Sequence, residues 1–236
     1  MVSCVLLPPS YIHPARCMTF LRPIAFDYSF ASHKHWKKYN PSLPSVVAIY
    51  DSQAYESGLF NHLNVALSTF VNLEVVGGAG TCLTRNQAGC NPISALMATQ
   101  SRCAGKKVLL WCGVNDVKVI NGAGAGFKGY MQSFINGIRS ACPGVKFVIV
   151  QSPLFSITSD PEWPPANIDA MNNGLSEGCQ WASGEADVLA VCNTNSFFRP
   201  GDFAAPKGRT AHFGPTASGT QRFKDAIVVA AQQMFR

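Results

Sequence analysis

A chain of 236 residues, 47% hydrophobic and only 14% charged, holds ample material for one packed core and is not of disordered composition. Its 19 Lys and Arg against 13 Asp and Glu leave a formal charge of +6. The basic residues are nonetheless scattered, and the one cluster, His33-Lys34-His35-Trp36-Lys37-Lys38, reads as a solvated basic loop, so nucleic acid is not an expected partner. No stretch approaches the roughly 18–20 apolar residues of a membrane-spanning helix, and no transmembrane segment is expected.

Residues 1–44 carry Pro8, Pro9, Pro14, Pro23, Pro41 and Pro44 with only short apolar runs between them, and read as a proline-rich arm preceding a single domain over 45–236. The opening MVSCVLLPPSY has no basic start and an apolar core of only about five residues, short for a signal peptide. From Ser45 the pattern becomes regular. Strands are expected over 46–50, 73–77, 107–112, 145–150 and 187–192, and helices over about 55–70, 92–104, 127–140, 165–180 and 215–235. Apolar runs bounded by turn formers are the mark of strands buried on both faces. Strands that alternate with helices imply a parallel sheet with right-handed crossovers and helices on both sides. The expected fold is therefore α/β, a three-layer α/β/α sandwich on a five-stranded parallel sheet of flavodoxin-like type.

The nine cysteines include Cys112 and Cys192 inside expected strands, where a thiol behaves as a small buried hydrophobe. Cys82 and Cys90 bracket a loop and are candidates to pair, and such loop cysteines favour a secreted or extracytoplasmic setting. No Cys/His spacing suggests a zinc site. The glycine-rich turn Gly77-Gly78-Ala79-Gly80 lacks both the P-loop Lys-Ser/Thr and the GxGxxG spacing, which argues against a nucleotide site. No metal or organic cofactor is expected.

Three polar segments stand just after apolar runs or near the C-terminus: Asp51-Ser52-Gln53 after VVAIY, Gly113-Val114-Asn115-Asp116 after KVLLWC, and Ala211-His212-Phe213-Gly214-Pro215. Ligands of open α/β sheets bind at the carboxyl ends of the strands, so these segments converge on one rim. Ser52 is placed as a nucleophile or as an ordinary helix N-cap. Gly80 is placed as an oxyanion donor through its backbone N–H or as a turn glycine, and Asn115 as an amide donor or a loop asparagine. His212 is a general base or a surface histidine.

In their order and placement these segments resemble the SGNH hydrolases, the GDSL-type lipase and esterase superfamily, over residues 45–236. The resemblance implies a serine nucleophile at Ser52 in Tyr50-Asp51-Ser52, and an oxyanion hole from the Ser52 N–H, Gly80 in Ala79-Gly80-Thr81, and Asn115 in Gly113-Val114-Asn115-Asp116. It implies a catalytic base at His212. Two positions depart from the family pattern: Tyr50 stands where the family has glycine, and Arg209 stands where the family has the aspartate that orients the histidine. An arginine cannot accept a hydrogen bond from the imidazole. The alternatives are a Ser52–His212 dyad, an acid supplied from elsewhere with Asp202 the best candidate, and a site that has lost activity. The expected function is a serine ester hydrolase of small acyl groups, with an O-acetylated carbohydrate or other small-molecule ester as substrate. A non-catalytic glycan-binding or structural module and an acyltransferase are the rival readings. Trp163, Trp181, Phe197 and Phe198 are candidates to stack on sugar rings, with core packing as the competing role.

Overall fold

The computed structural model describes residues 40–77, 81–83, 91–92, 107–116, 126–155, 165–203, 213–214 and 217–236. Five strands, β1 (Ser45–Tyr50), β2 (Asn72–Gly77), β5 (Lys107–Trp111), β6 (Lys146–Val150) and β7 (Val188–Val191), form one parallel sheet in the order β2-β1-β5-β6-β7. Two short strands, β3 (Thr81–Cys82) and β4 (Asn91–Pro92), pair with each other apart from it. The helices are α1 (Ser52–Glu56), α2 (Leu59–Leu67), α3 (Phe127–Ala141), α4 (Pro165–Ser183) and α5 (Thr220–Phe235), with 3-10 turns at Thr194–Phe197 and Pro200–Phe203.

Strand side chains alternate between two separate cores, as the period of two requires. Val47, Ile49, Val108, Leu110, Phe147 and Ile149 face α3 and α4, where they meet Phe127, Ile135, Met171 and Leu175. Val46, Ala48, Tyr50, Leu109, Trp111 and Val148 face the other way, against Leu59 and Leu63 of α2 and Phe223 and Ile227 of α5. A sheet covered on both faces has no use for polar alternation, which is why its strands read as continuous apolar runs. The architecture is the expected three-layer α/β/α sandwich.

The helix expected over 55–70 is two helices. Gly58 takes a left-handed φ of 73°, which ends the first helix, and the Ser57 hydroxyl accepts from the Leu59 N–H at 3.3 Å to start the second. Of the helix expected over 92–104, Pro92 belongs to β4 and the rest lies outside the described residues. Residues 40–44, the end of the expected arm, are tied to the start of β2: the Asn72 amide donates to the Asn40 and Leu43 carbonyls at 2.6 and 2.9 Å. The remainder of the arm lies outside the described residues.

Cys112 is a free, buried thiol, as expected. Cys192 is not: it forms a disulfide with Cys179 across a separation of 13 residues, fastening α4 to the segment that follows β7. Cys192, just beyond the end of β7, and Cys179, near the end of α4, have Cα atoms 5.7 Å apart, within bridging range. Cys142 is also disulfide-bonded. The proposed Cys82–Cys90 pair involves Cys90, which lies outside the described residues.

Candidate active site

The strand order reverses between β1 and β5, which run out from the middle of the sheet in opposite topological directions. Such a switch point opens a crevice at the carboxyl ends of the strands. Tyr50 at the end of β1 lies beside Trp111 at the end of β5, and the Asp51 N–H continues the ladder to the Trp111 carbonyl at 3.2 Å. Ser52 follows Asp51 directly, and Gly113 stands two residues past Trp111. The strand register therefore places the Asp-Ser and Gly-x-Asn-Asp segments side by side, although about 60 residues separate them in the chain.

Asp51 fastens the two segments together. Its carboxylate is fully buried, accepting from the Gln53 N–H at 2.9 Å on one oxygen and from the Val114 N–H at 3.2 Å on the other. Burial pushes its pKa up from 3.8 to about 7, against the lowering effect of these N–H donors, and the nearby Asp116 charge pushes the same way. Asp116 does a similar job one turn on, where its carboxylate accepts from the Leu83 N–H at 3.1 Å and holds the chain just past β3. Burial, together with the charges of Asp116 and Asp51, also raises the Cys112 thiol well above its ordinary range. Cys112 is thereby kept neutral and is no competitor to a serine nucleophile.

Gly113 has a φ of +134°, in the region that a Cβ disfavours. A methyl group there would meet Leu175 Cδ2 at 2.8 Å and Phe127 Cζ at 3.1 Å. The glycine of Gly-x-Asn-Asp is thus needed for the backbone to turn tightly against α3 and α4 and deliver Asn115 to the rim.

Ser52 is the first residue of α1 and is 7% exposed, and Asn115 lies half-buried in the turn after β5. Asp202 lies in the second 3-10 turn. Its carboxylate accepts from the Arg199 N–H at 2.8 Å and from the Ser218 hydroxyl at 3.3 Å, and its carbonyl accepts from the Gly214 N–H at 3.4 Å. Gly80, Arg209 and His212 lie outside the described residues. The neighbour of His212 is well fixed, however. Phe213 is 1% exposed in an aromatic cluster, its ring 4.4 Å from Phe198, 5.6 Å from Phe203 and 6.4 Å from Trp111, centroid to centroid. Burying such a ring stabilises by about 2–3 kcal/mol. Phe198 is buried in one core, and the partly buried Trp181 and Phe197 pack against the two cores, while Trp163 lies outside the described residues.

The sequence reading passed over Gln53. Its buried side chain accepts from the Trp111 indole N–H at 3.2 Å and donates to the Pro153 carbonyl at 2.6 Å. Gln53 stands three residues past the end of β1, as the second residue of α1.

This sheet order, with Asp-Ser leaving β1 and Gly-x-Asn-Asp leaving β5 at the switch point, belongs to a fold shared with solved esterases. No protein-family model matches the chain, and no curated protein sequence matches it. Among solved structures, it is similar to a carbohydrate acetylesterase family member from Sinorhizobium meliloti, at TM-score 0.62 and 14% identity over 82% of this chain and 99% of that one. It is also similar to the aryl esterase of M. smegmatis, at TM-score 0.54 and 13% identity over 81% of this chain and 100% of that one. A family two carbohydrate esterase from Clostridium thermocellum matches at TM-score 0.56 and 15% identity, over 83% of this chain and 65% of that one. At such identities the likeness is one of fold.

Among the described residues no cluster of His, Cys, Asp and Glu is arranged to hold a metal ion, and no helix is long and apolar enough to cross a membrane.

Proposed function

We propose that the protein is a serine ester hydrolase in which Ser52 is the nucleophile and His212 the general base. The observation that carries this reading is the Asp51 clip. A buried carboxylate joins the turn that bears Ser52 to the turn that bears Asn115, the arrangement an acyl-transfer site needs of its nucleophile and its oxyanion donor.

In the proposed reaction the Ser52 hydroxyl oxygen bonds to the ester carbonyl carbon while His212 takes its proton. The carbonyl oxygen, now negative, is held by the Ser52 N–H, the Gly80 N–H and the Asn115 side-chain amide. The carbon–alkoxy bond then breaks, and the departing alcohol takes the proton from His212. Water, deprotonated by His212, repeats the sequence on the acyl-enzyme and frees the acid and Ser52.

Arg209 in place of the orienting aspartate makes a Ser52–His212 dyad the leading form, with a backbone carbonyl accepting from the second ring nitrogen. Asp202 is the alternative acid. Its Oδ2 accepts from the Arg199 N–H and the Ser218 hydroxyl. A small acyl group on a carbohydrate is the proposed substrate, in keeping with the carbohydrate esterases among the fold neighbours. Acyl transfer to a sugar uses the same residues and depends on how far the site excludes water. The reading is tested by release of p-nitrophenol from p-nitrophenyl acetate by the protein and by its Ser52→Ala variant. Turnover that Ser52→Ala loses supports it, and equal background rates point instead to a binding module.

A further inference from the structure

The side chain of Gln53 is wholly buried, yet it is one residue past the proposed nucleophile and spans the ends of three strands. Its backbone N–H donates to Asp51 after β1, its amide oxygen accepts from Trp111 at the end of β5, and its amide nitrogen donates to Pro153 just beyond β6. Both ends of the amide are used, so the side chain is held in one orientation, and the first turn of α1 is held with it. Burying a primary amide costs several kcal/mol unless it is paired. An apolar residue of the same shape would fill the space without that liability. The polar choice therefore fixes position.

The partner of Gln53 leads on toward the base. The Trp111 ring lies nearly parallel to Phe213, with an interplanar angle of 17° and a centroid separation of 6.4 Å, and Phe213 adjoins His212 in the chain. A continuous path of packed groups thus runs from the residue after Ser52 to the residue after His212.

From this we propose that Gln53 is a positioning residue for the serine: its amide registers the nucleophile turn against Trp111, and through the Trp111–Phe213 contact against the segment bearing the base. The inference rests on the esterase reading above. Effective proton transfer needs heavy-atom separations near hydrogen-bonding distance, and a misplacement of about 1 Å can cost about 100-fold in rate.

The test compares Gln53→Leu and Trp111→Phe with the parent protein and Ser52→Ala on p-nitrophenyl acetate, reading kcat, KM and melting temperature for each. The expected result is a fall in kcat of about 10- to 100-fold for Gln53→Leu, with KM nearly unchanged. Trp111→Phe, which deletes the indole N–H, should show a smaller fall of the same kind, and the double variant should lose little more than Gln53→Leu alone. Should Gln53→Leu not fold, Trp111→Phe carries the test by the same split of kcat from KM. A parent protein with clear turnover and folded variants whose kcat equals the parent's would overturn the positioning role and leave the esterase reading intact. A parent protein no faster than Ser52→Ala overturns both.

Discussion

Replacing Gly113 by alanine tests whether the turn after β5 is built on a backbone that only glycine adopts. The new Cβ would lie 2.8 Å from Leu175 Cδ2 and 3.1 Å from Phe127 Cζ, closer than side-chain carbons approach in a packed core. Overpacking of this kind costs about 1–3 kcal/mol. The φ of +134° adds strain of about 1–3 kcal/mol for a residue with a side chain. If α3 and α4 yield partly, a net loss near 3 kcal/mol is expected, which in a domain of this size lowers the melting temperature by about 6–12 °C. Urea denaturation and a thermal scan measure the loss, and esterase turnover reports the displaced Asn115. Serine at the same position should do no better, because the obstacle is the Cβ itself. A Gly113→Ala protein as stable as the parent, with unchanged turnover, would refute the reasoning.

Asp51 binds a proton in the folded chain that the unfolded chain has already lost between about pH 4 and its folded pKa of about 7. Its contribution to stability is therefore greatest at low pH and falls as pH rises through that window, by about 4 kcal/mol in total. Denaturation of the parent and of Asp51→Asn at about pH 5 and pH 8 checks this, since the variant should lack that part of the pH dependence. Replacing Cys179 and Cys192 together by alanine frees a loop of 13 residues and should cost about 3 kcal/mol, read as a drop in urea midpoint under non-reducing conditions. Arg139 on α3 pairs with Asp187 and Glu185 before β7, and its guanidinium holds the Asp187 carboxyl below its ordinary pKa. Arg139→Ala should lower stability by about 1 kcal/mol at neutral pH. That difference should shrink in acid, as pH falls below 3.8 and through the lowered pKa of folded Asp187. If a Ser52–His212 dyad operates, Asp202→Asn leaves kcat near the parent value and lowers the melting temperature by weakening the turn at Arg199. A large loss of kcat would make Asp202 the acid.

The sheet was legible because its strands are buried on both faces: VVAIY, KVLLW and KFVIV announce themselves by unbroken apolar character, and the ends of the strands fall within a residue or two of expectation. That the Asp-Ser and Gly-x-Asn-Asp segments leave the sheet on one rim was legible too, since both follow strands of one parallel sheet. What pattern alone does not carry is long-range pairing. The break between α1 and α2 needed the left-handed Gly58, an option open to any glycine in a helical stretch. Cys192 read as a buried thiol because its partner, Cys179, lies on a helix whose rotation about its axis depends on packing. Asp51 and Gln53 read as parts of a motif, and their work as cross-links appears only when Val114, Trp111 and Pro153 come within reach.

The proposed role of Ser52 as a nucleophile activated by His212 is tested most directly by labelling the intact protein with a fluorophosphonate and mapping the adduct by peptide mass spectrometry, without reference to any particular ester. One modified residue, Ser52, is expected, with labelling slowed strongly in His212→Ala. No adduct, or an adduct on another residue with Ser52 unmodified, would contradict it.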